Sequence, residues 1–403
     1  MREMEPFKLL VSQPEAEQLV LKHCRPLDVT EAVPISAASG RVLATDIMAG
    51  SSVPPFNRSA MDGYAVIAED TFGADEGGIN LELKGVIHAG DVSEEEVTRG
   101  HCIQIATGSP LPKGANAVVM VEYTEKQENQ ILVTRPVYPG ANVSKKGEDI
   151  VEGEVVLTAG SWLSPAKIGT LAALGKTEVE VYTRPSVAVI PTGEEIVAPG
   201  KPLSPGQIYD VNSFTLESVL RENGAEVKRY DIVGDEYSLL KEAITEACEH
   251  DMVVLSGGSS VGEKDLLAGI LSEIGEVYFH GVQIKPGKPT LFGLAQNTPV
   301  FGMPGYPTSC LSNAYVFLIP AVRQMSRLPP MRPKTVTAKI GKRIVSSSGR
   351  QQFLTVRIED GIAHPVYKHS GAITSMANAD GYIILPVNLD VIEEGETVEV
   401  TLF

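Results

Sequence analysis

Cysteine is scarce: Cys24, Cys102, Cys248 and Cys310 are the four in the chain, far apart and in no CxxC spacing. This argues against a disulfide framework and a thiolate zinc site, and it fits a reducing cytoplasm. Cations are in deficit, with Lys plus Arg 34 against Asp plus Glu 51 and a net charge of −17. Such a chain repels a phosphate backbone, which argues against general nucleic-acid binding and leaves a small anion only a locally positive pocket. No apolar run reaches the roughly 18 residues of a membrane span. Met1–Leu10 carries acids and no apolar h-region, so no secretory signal is expected. The seven histidines form no HExxH and no Cys/His cluster, and there is no GxSxG elbow. A Walker A loop is missing too: Gly262 is followed by Glu-Lys-Asp, and Gly175-Lys176-Thr177 has Thr170 where that motif needs Gly.

What is present is the balance of an ordinary soluble protein, 43% hydrophobic and 21% charged over 403 residues. At about 150 residues per domain this length suggests two to four domains. Before residue 185, glycines and prolines punctuate short β-branched segments: Leu81–Ile87, Cys102–Ile105, Ala117–Val121 and Ile131–Val133. Residues 46–149 read as a β-rich unit inserted in a smaller domain. Gln13–His23 and Ser164–Leu174 read as helices, and Arg41–Ile47 as a strand. After Arg184-Pro185 strands alternate with helices: Ser186–Pro191, Val227–Ile232, Met252–Leu255, Val277–Phe279 and Val300–Phe301 against Ser213–Asn223, Ser238–Glu249, Asp265–Ile274 and Ser309–Met325. In the helix 213–223, Phe214, Leu216, Val219 and Leu220 are available for burial. The alternation predicts a doubly wound parallel α/β sheet that places ligands at the carboxyl ends of its strands. A Pro-rich linker at 328–333 precedes a small β-domain.

Five stretches carry candidate chemistry. Asp62-Gly63, after Pro54-Pro55, is a turn that exposes a carboxylate, the plain alternative being a solvated hairpin Asp. Thr192-Gly193-Glu194-Glu195 and Ser256-Gly257-Gly258-Ser259-Ser260 both follow strands, where backbone N–H groups can face an anion. Glu195 could hold a cation or a hydroxyl, and Asp265 taken alone suits a helix N-cap. Lys285-Pro286-Gly287-Lys288-Pro289 holds two lysines in a stiff loop, an anion clamp in an acidic chain or else a solvated turn. Gly302–Ser309 joins a strand to a helix and points N–H groups toward the same pocket. Carboxylates and lysines gathered on one rim suit a phosphate-bearing ligand with a divalent metal.

In this order the motifs resemble the bacterial molybdopterin molybdenumtransferase family (MoeA), which includes the E domain of gephyrin. The resemblance rests on Phe56–Val66, Thr107-Gly108-Ser109-Pro110, Gly147-Glu148-Asp149, Thr192–Glu195, Gln207–Asp210, Ser256–Asp265, Ile284–Pro289 and Pro304–Ser309. It implies insertion of molybdate into adenylylated molybdopterin with release of AMP, Mg²⁺ as the metal, and a four-domain homodimer whose active cleft is shared between subunits. The implied domains are 23–45 with 150–184, 46–149, 7–22 with 185–327, and a β-barrel-like 328–403. Implied catalytic residues are Asp62, Thr107, Asp149, Glu195, Asp235, Asp265, Lys285 and Lys288, with Glu195, Asp235 and Asp265 at the metal. Ser256, Gly257, Gly258, Ser309, Arg350 and Ser370 would bind substrate, and Arg, Lys and Ser donors suit a molybdate dianion. Other molybdenum-cofactor biosynthesis proteins are expected partners, and nucleic acid and membrane are not. Family members usually carry Asn where Tyr306 stands, and FDNSAMDGYA where this chain has Asn57-Arg58. A pterin-binding scaffold of the gephyrin type and a tungstate-inserting enzyme are the alternatives.

Overall fold

The computed structural model of the chain describes residues 10–257, 266–346 and 349–403. Two compact units emerge, one of Met1–Glu31, Gly40–Val42 and Val181–Phe403, the other of Ala32–Ser39 and Leu43–Glu180.

In the first unit, Glu226–Arg229, Ser186–Pro191, Met252–Ser256 and Thr298–Met303 lie side by side in parallel. Ser186–Pro191 is apolar almost throughout because both its faces are covered. Val187 and Val189 pack with the helices Gln13–His23 and Asn212–Glu222 and with the segment 307–325, whereas Ala188 and Ile190 face the helices Tyr237–Ala247 and Leu266–Ile274. The doubly wound parallel core is as expected.

The edge beyond Thr298–Met303 is not parallel. Leu291–Ala295 and Gly275–His280 add to it antiparallel, the first through a two-residue turn at Gln296 and Asn297, with φ of 49° and 72°. Such a left-handed turn normally advertises itself as Asn-Gly or Asp-Gly, so the hairpin has little local signature.

Gln13–His23 forms as its spacing predicts, with Ser12 as N-cap and Ala16 and Val20 turned to the sheet. In Asn212–Glu222, Leu216, Val219 and Leu220 are buried, but Phe214 stays 43% exposed with the Arg229 guanidinium 3.6 Å from its ring. The expected helix Ser309–Met325 starts earlier and is interrupted: Pro307–Asn313, a widened π turn at Ala314–Leu318, then Ile319–Met325. Pro320 has no N–H to return to Val316, which accounts for the widening.

The carboxyl-terminal strands close on themselves. Gln351–Glu359 pairs with Ile362–Pro365, that with Thr335–Ile340, then Thr397–Leu402, then Gly381–Leu385, which returns to Gln351–Glu359. Closure leaves no free edge around a core that includes Ile340, Leu354, Val356, Ile383 and Val400. Phe353 points outward, stacked on Tyr382 at 4.1 Å, and Phe403 joins this ring cluster to Tyr315 of the π turn. The barrel is thereby fixed to the α/β layer.

In the second unit a six-stranded sheet runs in the order 117–120, 63–66, 101–105, 79–87, 130–133, 124–127. Apolar residues cover both its faces, Tyr64, Val66 and Leu81 on one, Ala65, Ile87 and Ile103 on the other. The predicted helix appears as Pro165–Ala173. Arg41–Ile47 is not a continuous strand: Ile47–Met48 pairs with Val155–Leu157, and upstream Val42 and Leu43 form isolated bridges. Upstream, Leu43 N–H donates to Ser161 and Ala44 N–H to Glu180, so no single neighbour supplies a ladder.

Candidate functional site

The strand register puts four loops on one rim. Pro191 pairs with Ser256 and Ser256 with Met303, while the neighbouring Gly302 pairs with Leu291 and Leu291 with His280. The loops that leave this row carry Glu195, Gly257, Gly305 and the lysines Lys285 and Lys288. This is the edge where doubly wound sheets hold ligands.

The rim is tightly knit. Gly257 has φ +99°, and a Cβ there would lie 2.5 Å from the Thr192 carbonyl oxygen. Its N–H donates to Met303, while the N–H groups of Thr192 and Gly193 donate to Ser256 and Val233. Those three donors, expected to face an anion, are therefore spent on pulling the loops together. Charge on the rim falls to side chains instead.

Glu195 is exposed and Asp235 half-buried. They sit on neighbouring segments, joined by the bridge between Thr192 and Val233 and by the Gly193–Val233 hydrogen bond. No group of three metal-binding side chains occurs among the described residues. The expected metal set of Glu195, Asp235 and Asp265 is thus represented by two acids, since Asp265 lies outside the described residues together with Gly258, Ser259 and Ser260.

Lys285 and Lys288 are half-buried on a loop closed by a hydrogen bond from Val282 N–H to the Lys288 carbonyl. Gly287, at φ +103°, lies against Asn313, whose Nδ2 donates to the Gly287 carbonyl at 2.9 Å. The barrel meets this loop directly: Ile284 and Lys285 pair in parallel with Gln351 and Gln352, next to the exposed Arg350. Ser370 is brought to the rim as well, its carbonyl accepting the Thr308 N–H at 3.0 Å. Ser256 and Ser309 are buried, 4% and 3% exposed, at the end of their strand and within the helix 307–313. Tyr306 stands 65% exposed just before that helix.

Sequence reasoning missed two buried amides. Asn212 Nδ2 donates to the Gly305 carbonyl at 2.8 Å, while its Oδ1 has no hydrogen-bond partner among the described residues. Gln352, opposite Lys285, also buries an oxygen, Oε1, without a hydrogen-bond partner among the described residues. Neither has a signal in the local sequence, because both positions are defined by distant segments.

The remaining expected residues belong to the second unit. Asp62 Oδ1 accepts the Thr107 backbone N–H at 2.7 Å and its hydroxyl at 2.9 Å. These bonds, the backbone one foremost, hold the exposed carboxyl below the usual aspartate range. Gly63 makes the placement feasible, since a Cβ would fall 1.9 Å from the Val119 carbonyl oxygen. A cavity of about 150 Å³ opens beside Asp62 and is lined also by Tyr64, Val86, His88, Gln104 and Val121. Asp149 is exposed on a separate turn, its N–H donating to Val53.

Comparison with known proteins covers nearly the whole chain. Residues 11–175 match the MoeA N-terminal region (domain I and II), 188–324 a probable molybdopterin binding domain, and 337–403 the MoeA C-terminal region (domain IV). A putative molybdopterin biosynthesis protein of Methanocaldococcus jannaschii is 36% identical, covering 99% of this chain and 100% of that one. The molybdopterin molybdenumtransferase of Haemophilus influenzae is 33% identical over 93% of this chain and 94% of its own. The crystal structure of the MoeA protein from Pyrococcus horikoshii, 36% identical, superposes with a TM-score of 0.84 over 98% of this chain and 100% of that one. Full-length relatedness of this kind, together with the α/β rim and closed barrel, places the chain in the MoeA family.

Proposed function

We propose that the protein is a molybdopterin molybdenumtransferase, which inserts molybdate into adenylylated molybdopterin and releases AMP. The observation that carries the reading is the parallel pairing of Lys285 with Gln352, which brings barrel and lysine loop together at the ligand-binding rim. Lys285, Lys288 and Arg350 bring positive charge to that junction in a chain of net −17. Two lysines and a guanidinium suit a tetrahedral dianion, and the Ser370 loop adds a hydroxyl.

The donor set at Glu195 and Asp235 fits Mg²⁺, a hard cation that takes one or two carboxylates and completes its shell with water and substrate phosphate. Bound there, Mg²⁺ would neutralise the phosphate charge that develops as the adenylate is cleaved. The protein's own part is to orient: the Gly257–Met303 and Thr192–Ser256 bonds fix the loops, and the lysines hold the oxyanion beside them. The domain division given above, a homodimer and a cytoplasmic location belong to the same proposal. No helix among the described residues is long and apolar enough to cross a membrane.

The test is direct. Purified protein with adenylylated molybdopterin, molybdate and Mg²⁺ should release AMP and yield active cofactor. Tight pterin binding without AMP release would instead favour a scaffold role, a reading to which the exposed Tyr306 in place of the usual Asn lends support. Tungstate competes with molybdate in the same assay.

A further inference from the structure

The cavity beside Asp62 has a makeup of its own. At about 150 Å³ it is smaller than the roughly 300 Å³ of pockets that enclose a whole ligand, so it suits one ring system. Val86 and Val121, each nearly half exposed, give it apolar walls, and Tyr64 with Gln104 and Val86 forms one cross-strand row. Thr107 occupies Asp62 Oδ1 only; Oδ2 makes no hydrogen bond among the described residues. An ionised carboxylate is an acceptor alone and calls for N–H or O–H donors. His88 and Gln104 stand beside it and can each donate or accept.

We infer that this cavity is a reading site for the amino-bearing edge of a flat heteroaromatic ring, with Asp62 accepting from the exocyclic amino group and Val86 and Val121 covering the ring. The inference rests on the proposed function, whose substrate carries two such rings, the aminopyrimidinone of the pterin and the adenine of the nucleotide. Asp62 is then a recognition residue for that ring. Replacement of the amino group by a carbonyl would set an acceptor against the carboxylate, so discrimination arises from repulsion as well as from the lost bond.

The experiment uses the full chain and four probes in calorimetric titration: pterin, lumazine (the 2-oxo counterpart of pterin), AMP and IMP (the 6-oxo counterpart of AMP). The expected result is that one amino compound binds about tenfold or more tighter than its oxo partner. The pair that discriminates identifies the source, pterin or nucleotide. Asp62→Asn should erase the discrimination, and Val121→Glu, which leaves Asp62 in place, should weaken both members of the pair together. Thermal melts of each variant separate this from misfolding. Equal affinity within both pairs, discrimination that survives Asp62→Asn, or no saturable binding of any probe overturns the inference. If the wild type still releases AMP from the full substrate, only the reading site falls; if it does not, the proposed function falls with it.

Discussion

Thr308 is bound twice to the Ser370 loop: its N–H donates to the Ser370 carbonyl at 3.0 Å and its hydroxyl to the Ala372 carbonyl at 2.9 Å. One residue of the α/β rim thus holds the barrel loop that carries a candidate oxyanion donor. Thr308 is 1% exposed, so Thr308→Val leaves the Ala372 carbonyl without this donor. The expected cost is about 1 kcal/mol in denaturant unfolding. The KM for molybdate should rise while saturating turnover changes less, because the loop is loosened and the reacting groups are not removed. An unchanged KM would show that Ser370 is not part of the oxyanion site.

Gly287 tests the lysine loop in the same way. Its φ of +103° is glycine territory, and an added Cβ would stand 2.1 Å from Asn313 Nδ2. Gly287→Ala must therefore displace Asn313, which also bonds Thr290. A loss of about 1–3 kcal/mol is expected, with weaker molybdate binding measured by calorimetry. Lys285→Ala should lower AMP release on the order of 10²-fold, the usual effect of removing one charged donor from a developing anion, with a thermal melt to separate this from loss of folding. Wild-type turnover in Lys285→Ala would remove the lysine loop from the mechanism.

How much of this was legible in the sequence varies by element. Ser186–Pro191 and Gln13–His23 form where the residues place them, because apolar spacing and a Ser-Gln-Pro start are local signals. The strand Leu291–Ala295 was hidden by its Gln-Asn turn, and the barrel–loop pairing of Lys285 with Gln352 joins residues far apart in the chain. At the site, acids, lysines and glycines were visible as types. That the Thr192, Gly193 and Gly257 N–H groups are consumed by neighbouring carbonyls was not, since it depends on strand ends meeting. The burial of the Asn212 amide against the Gly305 carbonyl is invisible for the same reason.

The Asp62–Thr107 contact sets a pH dependence. Two hydrogen bonds lower the folded-state pKa of Asp62, so the carboxylate stays charged further into acid than an ordinary aspartate. The sign follows: whatever this contact contributes is present above the unfolded pKa and fades as pH falls through the depressed folded value. Thr107→Val removes the hydroxyl bond but keeps the backbone one, so Asp62 should titrate at higher pH than in the wild type while remaining below the usual range. Carboxyl-carbon NMR titration measures this directly. The acid limb of AMP release should move the same way, and identical titration in both proteins would refute the assignment.

Metal dependence bears on the acids of the rim. Glu195 and Asp235 lie on segments tied together at Thr192 and Val233, which puts two acids on the rim where substrate phosphate would supply further oxygens. Chelation with EDTA should stop AMP release, and millimolar Mg²⁺ should restore it. Glu195→Gln keeps the side-chain shape and removes one charge, so the Mg²⁺ concentration for half-maximal rate should rise about tenfold or more, with substrate affinity at saturating metal changed less. Binding of Mn²⁺, followed by its electron paramagnetic resonance in the absence of turnover, gives a second readout. If Glu195→Gln binds Mn²⁺ as the wild type does, the metal is held elsewhere and Glu195 acts on the substrate alone.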